Sequence, residues 1–273
     1  MKQLLILLCF GLLLACNQHS GTSSESQTQD SLNSETGGSD TIPYQKKSFY
    51  RGLPNCPQDS CPVYVKAEYP YFKEKKFRIF IRNLMTPTPY NDKIAASLEI
   101  AADSFINEYK SFHEEYPESP AGYAWEQSVL VHQKLDSVVS FEHNTYSYTG
   151  GAHGMYSTLY YNIKKRSAKK LRLSDILVKG YEEELTKIAE NIFRKENKLE
   201  KEENLGNEYF FENDQFYLND NFLLTGQGIK FLYNPYEIAA YARGQVELFV
   251  PYTEIKTLIR KKGLISQMIA TSN

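Results

Sequence analysis

Apolar positions recur along this chain at two periods, and the changes of period mark its elements. Ile94, Leu98, Ala101, Phe105, Tyr109 and Phe112 fall at helical spacing and predict a five-turn amphipathic helix, with Asp92 placed to favour its start. Before it, the run Phe77-Arg78-Ile79-Phe80-Ile81-Arg82 reads as a strand, broken by the proline-rich residues 86–90. Residues 127–135 and 137–148 are rich in Val, Phe and Tyr and predict two further strands. Residues 155–163 predict another, with Leu159, Tyr161 and Ile163 alternating on one face. The glycine-rich link Thr149-Gly150-Gly151-Ala152-His153-Gly154 joins the last two as a hairpin. Beyond a basic turn at 164–170, Ser174 is a candidate N-cap for a second helix. Tyr181, Leu185, Ile188 and Ile192 line that helix as far as Lys198, while Gly180 weakens its first turn. Strands at 215–218, 229–233 and 245–250 and a closing helix at 252–260 complete the pattern, with Pro251 ending the last strand. Hairpins dominate a mixed order of elements, which predicts an α+β fold of two mixed modules, mainly antiparallel sheets with packed helices. The natural divide at 164–170 gives modules of residues 43–166 and 167–273.

The N-terminal end has a different character. Lys2 precedes an apolar run from Leu4 to Leu14, then Ala15 and Cys16, which is the layout of a secretory signal peptide over residues 1–15. A helix of that run would be about 16 Å long, against about 30 Å of bilayer core, so it does not read as a permanent span. Leu13-Leu14-Ala15-Cys16 resembles the bacterial lipobox, in which the cysteine is acylated and the bond before it is cut; the plainer alternative is an ordinary signal with a chance cysteine. Asn17 in place of Asp resembles outer-membrane sorting. Residues 16–42 are polar, with Leu32 the only large apolar side chain before Ile42, and read as a lipidated, disordered tether. The expected partner at this end is a membrane, reached through the lipid on Cys16.

Composition narrows the function. Removing Lys2 with the leader leaves a chain only slightly more acidic than the formal −2 of the full sequence, so no electrostatic footprint for nucleic acid is present. Two cysteines remain after Cys16, in Cys56-Pro57-Gln58-Asp59-Ser60-Cys61. Their spacing fits neither a metal site nor a two-residue redox motif, and a local disulfide in an oxidising envelope is the favoured reading.

Catalytic signals are sparse. His19, His113, His132, His143 and His153 include no pair at the helical spacing of zinc enzymes. His143 and His153, with Glu142, are the one combination that a hairpin could bring to a metal; strand-surface and turn roles compete with that. Ser128, Ser137, Ser140 and Ser147 lack the glycines of a nucleophile elbow. Gly226-Gln227-Gly228 is too short for a phosphate loop and reads as a turn between strands. No catalytic residue, metal or cofactor is assigned. Gly150, Gly151 and Gly154 can expose backbone N–H groups to a ligand beside His153, or simply supply the positive φ of a tight hairpin. Tyrosine is abundant, 21 residues against one tryptophan, and is dense around Tyr146–Tyr161 and Tyr233–Tyr241. It suits a recognition face and is also an ordinary strand former.

Three segments carry a family resemblance: Tyr148-Thr149-Gly150-Gly151-Ala152-His153-Gly154, Leu171-Arg172-Leu173-Ser174-Asp175-Ile176-Leu177, and residues 234–244 with Val250-Pro251-Tyr252. In order and spacing they resemble the RsiV-like extracytoplasmic domains, over about residues 60–260. That family includes the outer domain of a lysozyme-binding anti-sigma factor and a non-catalytic module attached to a peptidoglycan deacetylase. Ala240 stands where the family often has proline. The resemblance implies a non-catalytic envelope binding module, with a peptidoglycan fragment or a lysozyme-like protein as ligand. Gly150, Gly151, His153, Tyr236, Glu237 and Tyr241 on the two motif loops are its candidate binding residues. The rival expectation is a metal-dependent envelope hydrolase or a deacetylase-associated module; a structural spacer is a third.

Overall fold

The computed structural model describes residues 42–89, 94–132, 135–200 and 204–266. The expected signal peptide, the lipidation site Cys16 and all but the last residue of the tether lie outside these residues, as does Asp92.

Five strands form the first sheet in chain order: β1 (Tyr44–Gly52), β2 (Val63–Phe72), β3 (Tyr123–His132), β4 (Val138–Tyr148) and β5 (Met155–Lys164). All neighbours are antiparallel except β2 and β3, which run parallel because two helices intervene between them. Val63, Val65 and Ala67 alternate toward one face, as do Trp125, Gln127 and Val129. Both helices cover that face. The segment read as a strand at Phe77–Arg82 is instead helix α1 (Lys75–Met85). Its buried residues Phe77, Ile81 and Met85 are spaced by four, and the short run imitates alternation only because Ile79 and Phe80 lie beside that stripe. The second helix, α2 (Leu98–Glu115), is where the spacing places it, but it starts later. Ser97 caps it by accepting from the Ile100 N–H, and Ile94 is exposed outside it.

The second part of the chain differs more from expectation. Ser174 lies inside a single turn, α3 (Leu173–Ile176), whose Asp175 carboxylate accepts from the Arg172 N–H. The long helix α4 (Glu182–Glu196) begins separately, after Gly180 at φ 79°. No strand forms at 215–218; β6 is Phe222–Leu224, paired antiparallel with β7 (Gly228–Tyr233), which pairs with β8 (Val246–Pro251). The expected closing helix is only a 3-10 turn at Lys256–Leu258. Gly226-Gln227-Gly228 does form the β6–β7 turn, tied by Thr225 to Gly228. Leu185, Ala189 and Phe193 of α4 pack on this sheet with Phe211, Phe231 and Tyr233. Leu135, just before β4, and Val138 at its start join the same core. Among the described residues no helix is long and apolar enough to cross a membrane.

The junction between the two sheets is built from asparagines. β5 is the last strand of the first sheet, and an unpaired edge is a liability. Asn221 Nδ2 donates to the Thr158 carbonyl at 2.9 Å, while its Oδ1 accepts from the Tyr160 N–H at 2.8 Å. Asn234 repeats the pattern one step along, accepting from the Thr158 N–H and donating to the Thr158 carbonyl. From the other side Asn162, itself buried, donates to the Phe222 carbonyl at 2.7 Å and accepts from the Leu224 N–H at 3.0 Å. Side-chain amides thus take the place of a sixth strand. They also account for the burial of Thr158, Tyr160 and Asn162 on one face of β5; on the other face Ile163 is buried and Leu159 is exposed.

Candidate functional site

The β4–β5 hairpin link and the loop between β7 and β8 come together at one end of the junction. Gly150 and Gly151 adopt φ 90° and 98°, a region where side chains are unfavourable, and the Tyr148 hydroxyl donates to the Gly151 carbonyl at 3.0 Å. The chain then turns so that the Gly154 carbonyl accepts twice, from His153 Nδ1 at 3.0 Å and from the Tyr241 hydroxyl at 2.8 Å. A carbonyl can only accept, so Nδ1 carries the proton and Nε2 is the outward ring nitrogen. The His153 ring stacks on Tyr241, with centroids 4.1 Å apart and planes 23° from parallel. Tyr156 meets Tyr241 edge-on at 5.7 Å, and Tyr236 lies against it at 5.6 Å. Tyr146 covers Gly154 so closely that a Cβ there would sit 2.5 Å from its ring. His153, Tyr236 and Tyr146 are exposed.

Tyr236 is the strained member of this corner. Its φ of 69° is uncommon for a bulky residue and costs on the order of 1–3 kcal/mol. The loop holds it there: the Tyr236 N–H donates to the Ala239 carbonyl, and the Glu237 N–H to the Asn234 carbonyl. Glu237 completes the brace with both carboxylate oxygens, accepting from Asn219 Nδ2 at 2.7 Å and from the Asn234 N–H at 2.9 Å. Of the six residues singled out on the two loops, His153, Tyr236 and Tyr241 share one aromatic surface. Gly150 and Gly151 shape the hairpin beside it, and Glu237 faces inward beneath the loop.

His143 and His153 are not brought together. Across β4 and β5 His143 lies opposite Leu159, whereas His153 precedes the terminal Ser147–Met155 pair. His143 is buried under the helices, its Nε2 bonded to Gln127 Oε1 at 3.0 Å, and burial pushes its pKa down to about 4. Glu142 points to the opposite face, toward His132 at 3.2 Å. Among the described residues no group of three His, Cys, Asp or Glu side chains is placed to hold a metal. Cys56 and Cys61 are free thiols within hydrogen-bond reach of one another, which pushes the Cys56 thiol up to about 11.

Sequence reasoning missed the asparagine junction that sets the two loops side by side. The only signal was the polar cluster Asn219-Asp220-Asn221 immediately before an apolar strand.

Two family models match the chain. Residues 58–156 match one described as deacetylase PdaC, and residues 174–253 match one described as a protein of unknown function, DUF3298. A crystal structure of a DUF3298 family protein from Pseudomonas aeruginosa PAO1 is similar, with 25% identity and a TM-score of 0.63, covering 81% of this chain and 95% of that one. A member of the same family from Bacteroides fragilis NCTC 9343 gives 21% identity and a TM-score of 0.64, covering 85% and 99%. No curated protein matches.

Proposed function

Since the chain carries a PdaC domain followed by a DUF3298 domain, the pair found in RsiV-like proteins, we propose that it is a lipid-anchored envelope protein that binds a wall-related ligand without transforming it. The observation that carries this reading is Tyr236, an aromatic side chain 52% exposed yet held in a strained backbone conformation against Tyr241. A fold that maintains strain to present a ring to solvent is maintaining a contact surface. Tyr236, Tyr241 and His153 offer flat faces with polar tips, the chemistry that suits sugar rings and protein loops alike. The corner draws its side chains from both domains, so the pairing itself builds the surface.

Acylation of Cys16 would hold the protein to a membrane, with the 25 or so polar residues that follow as a tether and Asn17 directing it to the outer membrane. An oxidising compartment would allow Cys56 and Cys61 to close a disulfide. The ligand class is a peptidoglycan fragment, with a lysozyme-like protein as the second reading because of the family resemblance.

Native protein, extracted in detergent, tests both parts. Its mass is expected to show Cys16 as the acylated first residue, and it should co-sediment with purified wall sacculi. Tyr241→Ala, which removes the ring shared by His153, Tyr156 and Tyr236, should weaken that binding about tenfold or more. Retention by neither sacculi nor lysozyme at micromolar concentration, or an unmodified thiol at position 16 in a chain that keeps Met1, would overturn the reading.

A further inference from the structure

The face of the first sheet opposite α1 and α2 carries a row of side chains in register across all five strands. Tyr50 of β1 pairs with Lys66 of β2, Lys66 with Glu126 of β3, Glu126 with Tyr146 of β4, and Tyr146 with Tyr156 of β5. Beside it runs a second, wholly polar row that includes Ser128, Asn144 and Thr158. Side chains opposite one another on a sheet share a face, so each row is continuous. Both rows line one open cavity of about 1510 Å³, which also takes in Glu99, Asp103 and Lys110 of α2 and exceeds the roughly 300–1,000 Å³ that encloses a single small ligand. Four strand spacings make it about 19 Å wide. At its β5 end the row runs into Tyr156, whose ring meets Tyr241 of the aromatic corner.

We infer that this face is the bed of a groove for an uncharged glycan strand of the wall, laid across the strands from Tyr50 to the Tyr236–Tyr241 corner. The inference rests on the function proposed above and extends its site. Charge selects the ligand. Lys66 lies opposite Glu126 across β2 and β3, and Glu68 is paired with Lys46 at 2.5 Å, so the face is nearly balanced and offers a polyanion no net attraction. The bed is also set in advance. Thr158 Oγ1 donates to Asn144 Oδ1 at 2.6 Å, Asn144 Nδ2 to Glu142 at 3.0 Å, and the Tyr64 hydroxyl to Glu126 at 2.7 Å. Fixed donors and acceptors between tyrosine rings match a ligand with hydroxyl and amide edges around flat, weakly apolar ring faces. Lys66 sits over the Tyr64 ring at 4.5 Å.

The test uses the mature chain and chito-oligosaccharides of two to six units, uncharged N-acetylated glycans, by titration calorimetry. Affinity should rise with each added unit. Tyr50→Ala, at the far end of the row, should cost the six-unit ligand about fivefold or more and leave the two-unit ligand unchanged. Glu126→Gln, which keeps the side-chain size, should preserve most of the affinity, and thermal unfolding of both variants confirms that they fold. Affinity independent of length, or a six-unit ligand indifferent to Tyr50→Ala, would overturn the groove while leaving binding at the corner intact. Tight binding of lysozyme with no oligosaccharide binding would overturn it in favour of a protein ligand. Displacement of the glycan by polyphosphate would show that the face selects anions, and would overturn it as well.

Discussion

Replacing Asn162 with leucine is expected to destabilise the protein by about 3–6 kcal/mol, more than the loss of either of the other two junction asparagines. Asn162 is 2% exposed and satisfies three buried groups at once: the Phe222 carbonyl, the Leu224 N–H and the Ser140 hydroxyl, which donates to its Oδ1 at 2.6 Å. Leucine is similar in size, so the loss is not a cavity. It comes from stranding those groups without water, at about 1–2 kcal/mol each. Domains of this kind have only about 5–15 kcal/mol in hand, so the loss would be a large fraction of the total. Asn221→Ala, at a partly exposed position of the same junction, should cost less, because water can reach the freed β5 backbone. Urea unfolding of the wild type and the two variants measures this directly. An Asn162→Leu variant within 1 kcal/mol of the wild type would mean that the amide junction does not hold the two sheets together.

Acid should cost nearly as much, through one residue. Buried His143 bonds to Gln127, and Gln127 in turn donates to the Met85 carbonyl at 3.0 Å. Gln127 Oε1 can only accept, so His143 Nε2 is the donor, and it is burial that keeps the ring neutral. Burial lowers its pKa to about 4, below the 6.5 or so of an unfolded chain. A histidine depressed in the folded state gives stability that is complete above its unfolded pKa and is lost as pH falls toward its folded one. Between pH 6.5 and 4 the chain should therefore lose about 3 kcal/mol. The carboxylates of Glu142 and Asp175, both held below their usual values by hydrogen bonds that outweigh burial, add losses only from about pH 5 downward, at the acid end of this window and beyond it. His143→Gln can still donate to Gln127 and should be less stable at pH 7, yet nearly flat over this window. A wild-type profile equally flat from pH 7 to 4 would refute the buried neutral histidine.

Much of this fold was legible where one face of an element is buried and the run is long. The α2 stripe, the Val, Phe and Tyr content of β3 and β4 and the alternation of β5 gave helix, strands and hairpin, though β3 starts at Tyr123, before the expected 127, and the glycines of the link allowed the positive φ that Gly150 and Gly151 adopt. Phe77–Arg82 misled because six residues cannot separate a period of two from a stripe spaced by four when apolar residues also flank the stripe. α3 and α4 were merged because Gly180 was taken as a weak position in a helix and not as the break between two. The strand expected at 215–218 fails for another reason: Phe216 packs into the second core from irregular chain, which tertiary contact permits and local pattern cannot reveal. Of the corner, His153, Tyr236 and Tyr241 were legible as motif residues. Their stacking was not, because Asn221 and Asn234 act through side-chain amides that mimic a strand and leave no periodic trace. The same blindness hid the row from Tyr50 to Tyr156, which exists only once five strands are in register.

Binding of wall glycan by the paired loops is tested most directly by amide and aromatic NMR shifts of the labelled mature chain, titrated with soluble muropeptides. Saturable shifts at His153, Tyr236 and Tyr241, spreading to Tyr146 and Tyr156, are the predicted result. A spectrum unchanged at millimolar muropeptide, or shifts confined to α4 and the far side of the β6–β8 sheet, would contradict it.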